Sequence, residues 1–299
     1  MHVPSTTPRP SLYYQYQVYP YFHSTENLSA DANTVTIVGA GPIGMSTALL
    51  LAKQGVKVIL LSAEQQLSEG SRALVYTKRS MEILNAAGVA NKVMQKALPW
   101  THGNSIYKGQ VCFRMETPVH EHDQFYPLNN LQQNWLEHYL LEEIQAQPNI
   151  EVRWGNKVVD HQQHDDVVTL TVHTPEGEYQ QQSHWVVAAD GGRSPIRERM
   201  QLRMQGARYE GHFVIADIRI KLDYPTERLA FFSPDWNPGN TILMHREPDD
   251  IWRFDYQLDP NITPEEALQP ENLHKAVQDQ LKMIGQDHLP WEMDWSTVY

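Results

Sequence analysis

Gly39, Gly41 and Gly44 stand in "VGAGPIG" at the spacing GxGxxG. Each glycine at that spacing has a job. The first turns the chain tightly off a strand, the second lets backbone approach a pyrophosphate, and the third lets a helix lie close on a sheet. The helix that follows presents free N–H groups and a partial positive charge to phosphate. The motif alone is weak, and its setting strengthens it. Thr34–Val38 is a short β-branched run, as a buried strand requires. Pro42 to Gln54 carries apolar Ile43, Met45, Ala48, Leu49 and Ala52, which predicts a helix that stops at Gly55. A second buried strand is expected over Val56–Leu61. Such a crossover is right-handed with parallel strands. The loop serves a nicotinamide or a flavin dinucleotide equally.

An acidic partner for the ribose is expected roughly 20 residues on. Ser62 holds that strand end, and Glu64 follows two residues later. Either the Ser62 hydroxyl meets the ribose or Glu64 reaches back to it. A second glycine turn lies in "VVAADGGRSPIR", where Asp190-Gly191 ends an apolar run read as a buried strand, with Ser194 and Arg197 beyond. The 14 histidines are scattered and form no HExxH pattern. His120 and His122 sit in an acidic loop with no third ligand in view, so no metal is expected.

These groups need elements to position them. Residues 1–32 are polar and Tyr-rich, and read as an extended arm whose aromatics dock on the body. "SMEILNAAGV" predicts a helix capped by Ser80 and stopped by Gly88. Residues 100–127 read as irregular with some strand, and Asn130 to Gln147 as a long helix. Strands follow at Ile150–Trp154, Val167–His173 and near Tyr179. Beyond Gly206 the pattern becomes alternating: His212–Leu222, Thr241–Arg246 and Ile251–Leu258, then a helix from Pro264 to about Ile284. The expected fold class is α/β: a Rossmann-like dinucleotide domain (33–100 and 128–205) with a second, mostly antiparallel α+β substrate domain (101–127 and 206–299).

Composition narrows the function. A formal net charge of −12 argues against nucleic acid as a partner. No apolar run approaches the roughly 18 residues that cross a bilayer, and the N-terminus lacks a signal-peptide pattern, so no membrane partner is expected. Cys112 is the one cysteine, which excludes an internal disulfide and fits a reducing cytoplasm.

Taken in order, the glycine loop, Arg72 in "GSRA" and Asp190-Gly191 resemble the class A flavoprotein aromatic hydroxylases. Gln133 in "NLQQNWLE" matches the helix glutamine that in that family reaches the ribityl region of the flavin. "SEGSRALVYTKRSMEIL", "IADIRIKLDYPTER" and "HREPDDIWRFDYQL" look most like the 3-(3-hydroxyphenyl)propionate hydroxylase subgroup. The resemblance spans Thr34 to Tyr299. It implies a glutathione-reductase-type FAD domain, FAD as cofactor, and NADH or NADPH as a cosubstrate visiting a groove near the Asp190-Gly191 turn. It also implies a phenolic acid and O2 as partners, with oxygen transfer through a flavin C4a-hydroperoxide. Gly39, Gly41, Gly44, Ser62, Glu64, Arg72, Gln133, Asp190 and Gly191 then belong to the cofactor site. His245 or Arg246, on the second sheet, would contact substrate. No catalytic residue is singled out. The chain departs from the pattern at Ser62, where the family places an acid. It also reaches Tyr299 before the family's "GDAAH" segment, so a fragment with half of a flavin site is expected. The alternatives are another FAD-dependent oxidoreductase of this fold, or an inactive N-terminal fragment.

Overall fold

The structure is a computed structural model that describes residues 2–207 and 211–299. The β-branched run forms strand Thr34–Val38, which lies parallel to Lys57–Leu61 across helix Pro42–Ala52. Two more parallel strands complete a four-stranded sheet in the order Trp185–Ala188, Thr34–Val38, Lys57–Leu61, Ile150–Arg153. Helices Pro42–Ala52 and Gln133–Gln145 cover one face. Met45, Leu49, Leu136, Leu140 and Ile144 close there on Ile37 and Leu60.

A seven-stranded sheet forms the other half. Its order is Glu292–Val298, Phe213–Arg219, Ile251–Gln257, Thr241–Arg246, Arg228–Phe232, His102–Tyr107, Gln110–Glu116. All neighbours are antiparallel except Arg228–Phe232 and His102–Tyr107. Strand alternation sorts its residues into two faces. Val214, Ala216, Ile218, Met244, Trp252 and Phe254 face helix Pro270–Met283, which contributes Leu273, Val277 and Leu281. The opposite face carries a row of paired neighbours, Trp295, Asp217, Arg253 and His245, one from each of four strands.

The arm docks, as its aromatics suggest. Tyr14 and Tyr16 are buried. Tyr16 donates to the Ser68 carbonyl, and Tyr13 donates to Asn134 Oδ1. Ser11 Oγ and Leu12 N–H donate to Asp294 on the far sheet, so the arm ties the two halves together. Leu28–Ser29 adds a parallel strand to Glu178–Ser183 in a further small sheet.

Several elements differ from expectation. Residues 100–127 are more regular than expected and supply two strands of the large sheet. The first predicted cap is displaced: Thr77, not Ser80, caps helix Lys78–Ala87, because Thr77 is still extended at the end of strand Val75–Thr77 and its hydroxyl accepts from Ser80 N–H. The long helix begins at Gln133, since Leu128–Asn130 is held as a strand between two neighbours. The last helix is broken into Pro264–Ala267 and Pro270–Met283, where Pro270 lacks the N–H needed to continue the first turn. The strand before Asp190 is not buried. Trp185 is 66% exposed and lies on the sheet edge, paired with Thr34–Val38 on one side. An apolar run reports a strand without reporting how many neighbours it has.

Candidate dinucleotide-binding site

A groove of about 350 Å³ opens at the carboxyl ends of the parallel strands. Gly39, Gly41, Ser62, Glu64, Arg72, Asp190 and Gly191 line it, joined by Arg9, Gln66 and Glu137. Gly39 has φ +105°, and a Cβ there would meet the Ala189 carbonyl oxygen at 2.3 Å. A Cβ at Gly44 would sit 1.8 Å from the Gly39 carbonyl oxygen, so this glycine serves helix packing. Gly41 is different. A Cβ there would meet nothing within 4 Å, so the protein itself does not demand a glycine. The demand fits a ligand that comes close to the backbone. Gly41 also caps the helix without any side-chain hydrogen bond, which leaves first-turn N–H groups for an anion. The donor set therefore fits a dinucleotide pyrophosphate.

Ser62 is buried, and its hydroxyl donates to the Glu64 carbonyl at 3.0 Å. It shapes the loop. The Glu64 carboxylate is half in solvent, 3.5 Å from the Arg9 guanidinium. Arg72 adopts φ +43°, an uncommon backbone for a residue with a side chain. Two contacts hold it there. Its Nε donates to the Glu69 carbonyl at 3.0 Å, and its own carbonyl accepts from Arg253 Nη1. Arg253 also donates to Ser71 Oγ, and Ser71 N–H donates to Asp217. The glycine-side loop is thus clamped onto the polar face of the large sheet.

Gln133 does not line the groove. Its N–H donates to the Ser71 carbonyl, and its amide donates to Glu137 Oε1 at 2.8 Å. Glu137 is buried and also accepts from Ser68 N–H at 2.7 Å. Burial pushes its carboxyl above the usual range, against those hydrogen bonds. Asp190 lines the groove and accepts from Ile196 N–H at 3.3 Å, while Gly191 takes φ +85° to complete the turn. Asp190 therefore holds its own turn together.

The two predicted substrate contacts part company. His245 lies on the polar face beside Arg253 and is buried. Burial, then the charges of Arg228 and Arg253, push its imidazole down to about 3, so it is neutral. Arg246, the next residue, points to the other face and donates to the Tyr224 carbonyl at 2.9 Å. Burial pushes Asp217 up to about 7, and pushes Glu247 up as well. Sequence reasoning missed Arg9, Glu137, Asp217, Glu247 and Arg253. The alternation in "IWRFDYQL" places Arg253 and Asp255 on one face, which was a usable signal. Nothing in the arm marks Arg9.

The parallel sheet, its glycine turn and the antiparallel sheet above define a dinucleotide-binding α/β protein with a covering sheet. The family model described as "FAD binding domain" matches residues 32–299. The chain belongs to that family, and its cofactor is FAD. Para-nitrophenol 4-monooxygenase of Pseudomonas sp. (strain WBC-3) is 27% identical over 254 residues, 81% of this chain and 61% of that protein. A 3-(3-hydroxy-phenyl)propionate/3-hydroxycinnamic acid hydroxylase of Burkholderia cenocepacia is 28% identical over 82% of this chain and 44% of that protein. The chain thus spans about half to three-fifths of these relatives. Among solved structures, p-nitrophenol 4-monooxygenase from Pseudomonas putida DLL-E4 superposes with a TM-score of 0.79 at 24% identity, over 91% of this chain and 68% of that one. The flavin-dependent monooxygenase PieE, in complex with FAD and substrate, gives 0.80 at 20%, over 92% and 50%. These neighbours share the fold. Among the described residues, no helix is long and apolar enough to cross a membrane.

Proposed function

We propose that this chain carries the FAD site and the substrate-covering sheet of an aromatic monooxygenase. Its substrate is a phenolic acid of the 3-(3-hydroxyphenyl)propionate kind, with NADH or NADPH and O2 as cosubstrates. The observation that carries this reading is the clamp of the Arg72 loop, on the nucleotide groove, onto the polar sheet face through Arg253. It sets a cofactor cradle and a row of polar side chains side by side. FAD supplies, when bound, the redox chemistry for activating dioxygen. The chain's own residues do the holding. The Gly41 backbone and the helix start take the pyrophosphate, with Arg72 and the Asp190-Gly191 turn beside it. Neutral His245 and the Arg253 guanidinium are the groups suited to a phenol oxygen or a carboxylate. Burial of this face keeps water from them.

The corresponding division is 33–100 and 128–205 for FAD, 101–127 and 206–299 for substrate, after an arm over 1–32. Support comes from the two strands within 101–127, which join the large sheet. We place the protein in the cytoplasm, supported by its one cysteine, Cys112, which is free and exposed. A nitrophenol is the second reading, favoured by the relative of which this chain covers the larger share. The test is FAD titration of the purified protein, then NAD(P)H oxidation with phenolic acids and nitrophenols. Flavin uptake with substrate-stimulated oxidation and a hydroxylated product supports the reading. Protein that leaves FAD free in solution overturns it.

A further inference from the structure

We propose that the N-terminal arm completes the nucleotide site: Arg9 positions Glu64 against the adenosine ribose of FAD and closes that end of the groove. The proposal rests on the FAD reading above. The strand end that carries a ribose-binding acid in dinucleotide folds is held here by Ser62. Its hydroxyl is committed to the Glu64 carbonyl, so it cannot donate to a ribose without releasing the loop. Three carboxylates line the groove: Glu64, Glu137 and Asp190. Glu137 is buried and bound by Ser68 and Gln133, and Asp190 holds its own turn. Glu64 alone sits just past the strand end with a half-exposed carboxylate.

Arg9 is what fixes Glu64. The guanidinium is 3.5 Å from Glu64 Oε2, with the arginine side chain 20% exposed and the glutamate 46%. That contact is long enough to orient the carboxylate while leaving its lone pairs for ribose hydroxyls. Arg9 is itself anchored. Its N–H donates to Gln66 Oε1 at 3.1 Å, and Nη1 donates to the Leu67 carbonyl. Gln66 in turn donates to the carbonyls of Ser5 and Thr7, and Asp294 accepts from Ser11 and Leu12 beyond. Arg9 therefore hangs between two fixed points of the arm, over the groove. Arg72 and the helix start supply the positive charge that a pyrophosphate needs there, and Arg9 is left to act through Glu64. The arm lies outside residues 32–299, which match the family model.

The experiment is a double-mutant cycle on FAD affinity, read by flavin fluorescence in Arg9→Ala, Glu64→Ala and the double variant. Melting of the unliganded proteins and Arg9→Lys serve as controls. Arg9→Ala is expected to weaken FAD about ten-fold, as loss of a charge-assisted contact does. In the Glu64→Ala background the same change is expected to cost less than about two-fold, because the two act as one unit. Arg9→Lys recovers most of the loss, and the unliganded melting temperature stays put. Equal losses in both backgrounds overturn the positioning role. No loss in either overturns the arm's part in the site. If the wild-type protein leaves FAD free, the FAD reading falls too; if it takes FAD while Arg9→Ala behaves alike, this proposal alone falls.

Discussion

The groove and the polar face of the large sheet lie against each other and are built in opposite ways. The groove is made of backbone. Its turns, its open space at Gly41 and its uncapped helix start come from residues adjacent in sequence. The sheet face is made of side chains. Asp217, Arg253 and His245 meet only because three strands pair in one register. The first is open to solvent and tolerant of charge. The second is buried, so every charge on it must be matched or neutralised.

The sharpest break of that contrast is Arg253→Ala. It leaves Asp217 and Asp255 buried without their cation and frees the Arg72 carbonyl. A loss of about 3–5 kcal/mol in urea unfolding is expected. Gly44→Ala comes next, with about 3 kcal/mol, because the new methyl collides with backbone that cannot move aside. Both changes should abolish FAD uptake by damaging the fold.

A pH series sharpens the comparison at the buried face. Burial raises Asp217 from an ordinary value near 3.8 to about 7, with Arg253 and Ser71 opposing the shift and Asp255 assisting it. Glu247 is displaced the same way, and the buried Tyr13 hydroxyl feels both acids. A raised carboxyl holds its proton in the folded state after the unfolded chain has released it. Its contribution is therefore full below pH 4 and lost as pH climbs to about 7. His245 works in reverse. Its folded value near 3, against 6.5, means stability falls as pH drops below 6.5. Asp217→Asn removes one of the first kind of contribution, so unfolding free energy measured from pH 4 to 8 should decline less with rising pH than in the wild type. An unchanged profile would break the assignment.

The smallest effect on the fold belongs to Gly41→Ala. Its φ of −83° suits any residue, and the methyl enters open space. Stability should stay within about 0.5 kcal/mol. FAD affinity should nevertheless drop by about ten-fold or more, since the methyl stands where the pyrophosphate comes close. Retained affinity would mean that the groove holds its ligand elsewhere.

That contrast also explains what the sequence disclosed. The glycine spacing, the strand before it and the helix after it are local, and they located Gly39 and Gly41; Arg72, Asp190 and Gly191 came from the family resemblance, and all five line one groove. Gln133 was placed on the right helix, but its amide turns to Glu137, a choice made by a buried acid one turn away. His245 and Arg246 are neighbours in sequence, yet strand alternation sends them to opposite faces. Arg9 was illegible because it acts across 55 residues of chain through a contact that only the docked arm creates. The exposed strand at Trp185 was misread for a related reason: its apolar letters report a strand, and its edge position is a property of the whole sheet.

The arm's hold on Asp294 has a kinetic consequence. Ser11 and Asp294 are 283 residues apart in the chain. During synthesis at ~5–20 residues per second, the arm waits roughly 15–60 s for its partner to emerge. Until then Tyr13, Tyr14 and Tyr16 have only the loop and helix of the first sheet to settle on. The Ser11–Asp294 contact is thus among the last of the arm's contacts to lock, long after Arg9 can meet Gln66 and Leu67.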